Sequence, residues 1–129
     1  HTNNRSIAAD DYFTGMFETA LEEDEVIESI SFSKPTKANY VKFPNPASRY
    51  AMVGVFVAQF GDEVRVAVTG AGEGGVFRHQ EMESALSSNF SADSLSSVNI
   101  ASDGLISDLH ASAEYRASLI KEMTKRAIV

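Results

Sequence analysis

Three short stretches of this chain hold residues whose types and spacing could do chemistry. In "VAVTGAGEGGVFR" (Val66 to Arg78), Gly70, Gly72 and Gly75 satisfy G-x-G-x-x-G. That spacing lets a strand turn tightly into a helix whose N-terminus holds a pyrophosphate. In "DLHAS", Asp108, His110 and Ser112 occupy alternate positions and supply the residue types of a hydrolytic triad. In "EEDE", Glu22 to Glu25, successive carboxylates could attract a cation.

Each stretch needs a scaffold to bring it to bear. "EVIESISFSKP" reads as a strand ended by Pro35, with Ile30 and Phe32 spaced by two. "ANYVKFPNP" is a second, stopped by Pro44 and Pro46. "AMVGVFVAQF" and "EVRVAVTG" are a third and fourth, joined by the hairpin signal Gly61–Asp62. Helical spacing then takes over, with Phe77, Met82, Ala85 and Leu86 on one face. Ser91 is placed to cap a second helix carrying Leu95 and Val98. Ser112 is placed to cap a third carrying Tyr115, Leu119, Ile120 and Met123. Strands first and helices afterwards is the α+β order: an antiparallel sheet of three to four strands covered by about three helices. The expected organisation is one domain over 1–129, with an acidic segment at 1–24, antiparallel strands over 25–70 and a mainly helical part over 77–129.

That scaffold withdraws most of the chemistry. The strand entering the glycine run is the second arm of a hairpin, whereas the dinucleotide fingerprint works inside a parallel βαβ unit. The acidic residue wanted about 20 positions further on, at the end of the next strand, falls in the polar, helix-like "SADSLSS". The glycines then mark a bend where φ is positive or a Cβ is excluded. Residues two apart on a strand point the same way, and Ser112 is already a helix cap, so "DLHAS" makes no triad. His79 and His110 lack the paired spacing of a metal site and read as solvated; His1 stands at the chain end. "EEDE" lacks the alternating oxygens and turn glycine of a calcium loop. Arg116 falls in the first turn of the last helix, where a cation opposes the dipole, and Asp108 is the nearest carboxylate to pair with it. Tyr115 is expected in the core with its hydroxyl at the rim.

Composition narrows the classes further. The chain has 129 residues, 43% of them hydrophobic, no cysteine and a net charge of −7. Disulfides, iron–sulfur clusters and thiolate zinc sites are excluded. The acidic balance argues against nucleic acid, and there is no apolar run long enough for a membrane span. Residues 1–33 hold eight acidic side chains against Arg5 alone. The absence of a signal peptide favours the cytoplasm. A start without Met suggests a fragment, whose missing motifs would lie upstream.

Taken in order, the landmarks resemble the C-terminal domain of the FAD-binding medium subunit of molybdenum hydroxylases, the xanthine dehydrogenase and carbon monoxide dehydrogenase family. They are "R-x-I-A-A-D-D-Y-F-T-G-M-F-E-T-A-L" near the start, "Y-V-K-F" before "Y-A-M-V-G-V-F-V-A", and "G-G-V" at 74–76 with Glu83 and Leu86. "D-x-x-x-S-A-E-Y-R", Asp108 to Arg116, and "K-R-A" at 125–127 complete the set. The resemblance implies an α+β sandwich that closes over FAD and meets neighbouring subunits of an oxidoreductase complex. Those partners would be a molybdenum-binding large subunit and an iron–sulfur small subunit. It implies no catalytic residue and no metal ligand here, and glycine-rich phosphate turns for FAD in domains upstream. The "GAGEGG" bend would be the family's sheet-to-helix crossover. Lys42 matches the family's lysine that approaches the isoalloxazine, and the loop Phe43 to Arg49 would lie beside it. In that loop the chain places Arg49 where an acid is common in the family. The alternative is an interaction module of the same fold without a flavin role.

Overall fold

A computed structural model describes residues 1–15 and 17–128 and divides them into two compact units, His1–Lys34 and Pro35–Val129. In the first, a single turn of helix α1 (Ala9–Tyr12) leads into strands β1 (Phe13–Gly15) and β2 (Glu18–Thr19), which pair antiparallel. Its polar centre is Glu25, a buried carboxylate that accepts hydrogen bonds from Arg5 Nε (2.9 Å), Arg5 Nη2 (2.9 Å), Thr2 Oγ1 (2.7 Å) and the Glu22 N–H (3.0 Å). The bidentate Arg5 contact, helped by Thr2, pulls the Glu25 pKa down to about 2.

The strand expected over "EVIESISFSKP" does not form. Only Ile27 makes a bridge, to Thr2, and the N–H groups of Glu28 and Ser29 both go to the His1 carbonyl. Ile30 and Phe32 are exposed, Phe32 at 84%. Alternating apolar residues make a strand only where a neighbour takes the main-chain groups in register, and here His1 to Asn3 take only those of Val26 to Ser29, ahead of Ile30 and Phe32.

The second unit is one antiparallel sheet in the order β3 (Lys37–Pro44), β4 (Ala51–Phe60), β5 (Glu63–Gly72), β6 (Gly75–Arg78). Gly61 and Asp62 close the β4–β5 hairpin between paired Phe60 and Glu63, with Gly61 at φ 65°. Period two then places Val53, Val55 and Val57 beside Val64, Val66 and Val68, all buried. Over this valine face pack α2 (Gln80–Ser88), a 3-10 turn (Ala92–Leu95) and α3 (Ala113–Ala127), contributing Met82, Leu86, Leu95, Ile120 and Met123. Each fully buried side chain of this size contributes roughly 1.5–3 kcal/mol of transfer free energy. The architecture is the expected α+β one.

Several local expectations change. The glycine run is not a sheet-to-helix crossover: Gly72 pairs with Gly75, and the chain turns into a fourth strand before α2 begins. Phe77 therefore belongs to β6 rather than to a helix. Behind Ser91 there is only the 3-10 turn, with no side-chain cap bond, and Val98 lies beyond it. Ser112 does cap α3, accepting from the Tyr115 N–H at 3.2 Å. No described helix is long and apolar enough to cross a membrane.

Three glycines in the run are constrained, and at Gly72 the reason is space, since a Cβ there would run into the Gly75 carbonyl and the Phe77 ring. Gly70 has φ 75°, and a Cβ there would run into the Ala51 carbonyl; Gly75 has φ 102° in open space. Gly74 has neither constraint. Gly70→Ala is expected to lower stability by about 2 kcal/mol or more, Gly75→Ala by about 1, and Gly74→Ala by less than about 0.5, measured by denaturant unfolding. In the first unit, the Glu25 carboxyl should titrate near pH 2 by NMR. Because its folded pKa lies below its ordinary value of 4.5, its stabilising contribution is complete above that value and fades as pH falls toward 2. Arg5→Leu should move the midpoint back up toward 4.5.

Candidate functional site

Lys42 stands on β3, an outer strand of the sheet. Val41 and Phe43 on either side of it pack against the core, so its side chain projects from the opposite, open face. Lys42 is exposed, and its Nζ donates to the Arg49 carbonyl at 2.9 Å. The loop that offers this carbonyl is tightly built. Asn45 donates its N–H to the Tyr50 carbonyl (2.7 Å) and accepts from the Arg49 N–H (2.9 Å). The Asn45 side chain accepts from the N–H groups of Ala47 (2.9 Å) and Ser48 (3.3 Å), an Asx turn. Arg49 adopts φ 64°, an uncommon conformation for a side-chain-bearing residue. The result is an exposed cation, a second one at Arg49 and an exposed ring at Tyr50 on one hydrogen-bonded corner.

The glycine run offers no phosphate site. A cleft of about 370 Å³ beside it is lined by Gly72, Gly74, Gly75, His79, Asp103 and neighbours, without a lysine or arginine. The Asp103 carboxylate there opposes an anion, and Gly72 is committed to the β5–β6 ladder. His79 is half-buried rather than solvated: its Nδ1 accepts the Met82 N–H at 3.4 Å and caps α2. His110 is exposed.

"DLHAS" is a helix lead-in. Asp108 Oδ1 accepts from the N–H groups of His110 (2.9 Å) and Ala111 (3.0 Å), and Oδ2 accepts from Arg116 Nη2 (2.8 Å). Those two main-chain bonds first, and Arg116 after them, hold the Asp108 pKa below its ordinary value. The expected Arg116–Asp108 pair is therefore present. Arg116 itself is only 3% exposed, and its Nη1 also donates to the carbonyls of Met52 (2.6 Å) and Gly70 (3.1 Å). Its Nε is the one buried side-chain polar atom among the described residues without a hydrogen-bond partner. Tyr115 is not core: it is 47% exposed and meets Phe43 edge-on, ring centroids 6.3 Å apart. The buried stripe of α3 runs through 116, 119, 120, 123, 124 and 127, which leaves position 115 beside it.

Glu83 is a polar group that sequence reasoning had assigned only to a family motif. It is buried on α2, accepts from the Val66 N–H (2.9 Å) and receives both Arg78 Nε and Nη2 at 2.8 Å. Burial pushes its pKa up, but the Arg78 fork and the Val66 N–H outweigh that and leave it lowered. Among the described residues, no group of three or more His, Cys, Asp or Glu is arranged to hold a metal ion. Nothing in this set of described residues makes a nucleophile with its base, and the Asp108–Arg116 and Glu83–Arg78 clusters tie elements of the fold together.

Arg116→Met keeps the bulk of the stem while taking the donor from the Met52 and Gly70 carbonyls and from Asp108 Oδ2. It should lower stability by about 3 kcal/mol in denaturant unfolding. Asp108→Asn should cost less, because its oxygen can still accept from His110 and Ala111.

No protein-family model matches the chain, and no solved structure matches it at a significant level. It is 35% identical over 135 residues to the nicotine 6-hydroxylase medium subunit of Paenarthrobacter nicotinovorans, covering 97% of this chain and 47% of that protein. It is 28% identical over 138 residues to the carbon monoxide dehydrogenase medium chain of Hydrogenophaga pseudoflava, covering 96% of this chain and 47% of that one. The chain thus spans about half the length of the curated relatives it matches. Along nearly its whole length the chain is thus similar to hydroxylase and carbon monoxide dehydrogenase medium subunits, over a span that fits the C-terminal domain of such a subunit.

Proposed function

We propose that this chain is the part of a molybdenum-hydroxylase flavoprotein subunit that helps to enclose FAD and holds subunit contacts. Electrons from iron–sulfur clusters would then pass through the flavin to an acceptor. The observation that supports this reading is the match along 97% of the chain to a medium subunit, with the lysine-bearing strand within it. The partners on this reading are a molybdenum-binding large subunit and an iron–sulfur small subunit, and the compartment is the cytoplasm. FAD supplies the redox chemistry when bound.

The residues fit one part of that cofactor and not another. The glycine cleft lacks cations and carries Asp103, which on this reading leaves the pyrophosphate to glycine-rich turns elsewhere in the subunit. The Lys42 corner suits the ring. After donating to Arg49, the Lys42 ammonium keeps two N–H groups for an oxygen or nitrogen of a ligand. No acid lies between Ser29 and Gly61 to neutralise it along the chain. A cation held there favours the reduced, more negative flavin over the oxidised one. The Asn45-centred turn fixes the carbonyl that orients it.

Two measurements test the reading. The 129-residue chain alone is expected to purify without flavin, and stoichiometric yellow flavin in it would contradict the division of labour. In the full-length subunit, Lys42→Met should lower the two-electron flavin potential by roughly 20 mV while leaving folding stability nearly unchanged. An unchanged potential and an unchanged flavin affinity would return Lys42 to the role of an ordinary outer-strand lysine and favour an interaction module without a flavin role.

A further inference from the structure

The two edges of the four-stranded sheet are finished differently. On β5, the N–H groups of Val64 and Val66 go to Ser87 and Glu83 of α2, and the Val66 carbonyl accepts from His79. Even-numbered residues of β5 therefore point their main chain toward β6 and α2, and odd-numbered ones toward β4. The register Gly54↔Thr69, Phe56↔Ala67, Ala58↔Arg65 assigns the even residues of β4 to β5 and its odd residues to β3. Through Val53↔Phe43, Val55↔Val41 and Val57↔Asn39, the odd residues of β3 bond to β4. Ala38, Tyr40 and Lys42 are left with their N–H and C=O groups directed away from the sheet. Pro44 has the same parity, so its missing N–H falls on the outward side, where a proline is tolerated. Within the Pro35–Val129 unit, the outward main-chain groups of Ala38, Tyr40 and Lys42 have no hydrogen-bond partner among the described residues.

This open edge is also cationic. From Ser29 to Gly61 the chain contains Lys34, Lys37, Lys42 and Arg49 and no aspartate or glutamate, although its net charge is −7. Lys37 and Lys42 are both exposed on β3 itself. We infer that β3 is a docking strand, and that an extended, acidic segment of another polypeptide adds to it as a further strand. The outward N–H and C=O groups supply main-chain affinity, and carboxylates opposite Lys37 and Lys42 supply selectivity. Pairing with β3 of a second copy is the wrong arrangement, because it would set one cationic strand against another. The cations that repel a second copy select an acidic partner.

The inference rests on the reading that the chain works in a multisubunit complex. Its test is amide hydrogen exchange, resolved to single residues, on the full-length subunit alone and in its purified complex. The Ala38, Tyr40 and Lys42 amides should exchange fast in the subunit alone and about tenfold or more slower in the complex. Lys37→Glu should weaken assembly about tenfold at low salt, while Lys125→Glu on α3 should not. Equal loss from both variants, or protection of β3 already in the subunit alone, would overturn the inference. So would a complex in which these amides still exchange fast, and that result leaves the proposed function standing. A subunit that recruits no other chain would overturn both.

Discussion

The Pro35–Val129 unit depends on one buried cation. The β4–β5 ladder ends at Gly54↔Thr69, and beyond it the Met52 and Gly70 carbonyls need donors. Arg116 reaches them from the first turn of α3, and the same guanidinium takes Asp108 from the segment that leads into the helix. Three elements are thereby tied at one point. A guanidinium suits this task because its planar fork offers several fixed N–H directions and stays charged when buried. Its location carries a cost: a cation in the first turn of a helix faces the positive end of the dipole. The carboxylate of Asp108, held in place by two main-chain N–H groups, offsets that cost.

Polar groups carried by α2 do for one edge of the sheet what Arg116 does for its end. β6 is short, so the Glu63–Val66 part of β5 has no fourth strand beside it. Ser87 and Glu83 replace that strand by accepting the Val64 and Val66 N–H groups, and Arg78 neutralises the buried Glu83. A helix over an edge is one of the ways sheets avoid uncontrolled pairing. Among the described residues of this unit no helix side chain bonds the outward main chain of β3 in that way, and the strand carries lysines and a closing proline.

What the sequence made legible follows from how local each signal is. The Gly61–Asp62 turn and the Ser112 cap are set by two to four residues, and both stand as read. The Arg116–Asp108 pair was legible because dipole physics demanded a carboxylate nearby. By contrast, β6 was missed because "GVFR" is too short to show a period, and its pairing depends on a bulged register with β5. The strand read into "EVIESISFSKP" failed for the opposite reason: its alternation was clear, but the contacts of His1 to Asn3 with it stop at Ser29 and no ladder continues along Ile30 and Phe32 among the described residues. Tyr115 was misplaced by one position, which on a helix is a rotation of about 100°. Glu83 and Ser87 as edge caps were invisible, since nothing in their spacing announces which strand they will cover. The glycine fingerprint, finally, has a cause unconnected with nucleotides. Its first glycine adopts positive φ beside Ala51 and gives its carbonyl to Arg116; its last closes a hairpin.

Lys42 enters both proposals, and the geometry of a strand explains how one residue can serve two surfaces. Side chains leave a strand perpendicular to the sheet, whereas main-chain groups leave it within the sheet plane. The Lys42 ammonium therefore projects on the open face, where it donates to the Arg49 carbonyl, while its N–H and C=O lie at the edge. On the two proposals both surfaces would draw on the field of the same cations, Lys34, Lys37, Lys42 and Arg49, in a stretch without a carboxylate. An anionic ring on the face and an acidic strand at the edge would each lower that field, so occupancy of one weakens the electrostatic gain of the other. Salt screens this coupling between exposed charges. Any competition between the two surfaces is thus strongest at low ionic strength, and the hydrogen bonds of strand addition, which are not screened in this way, set what survives at high salt.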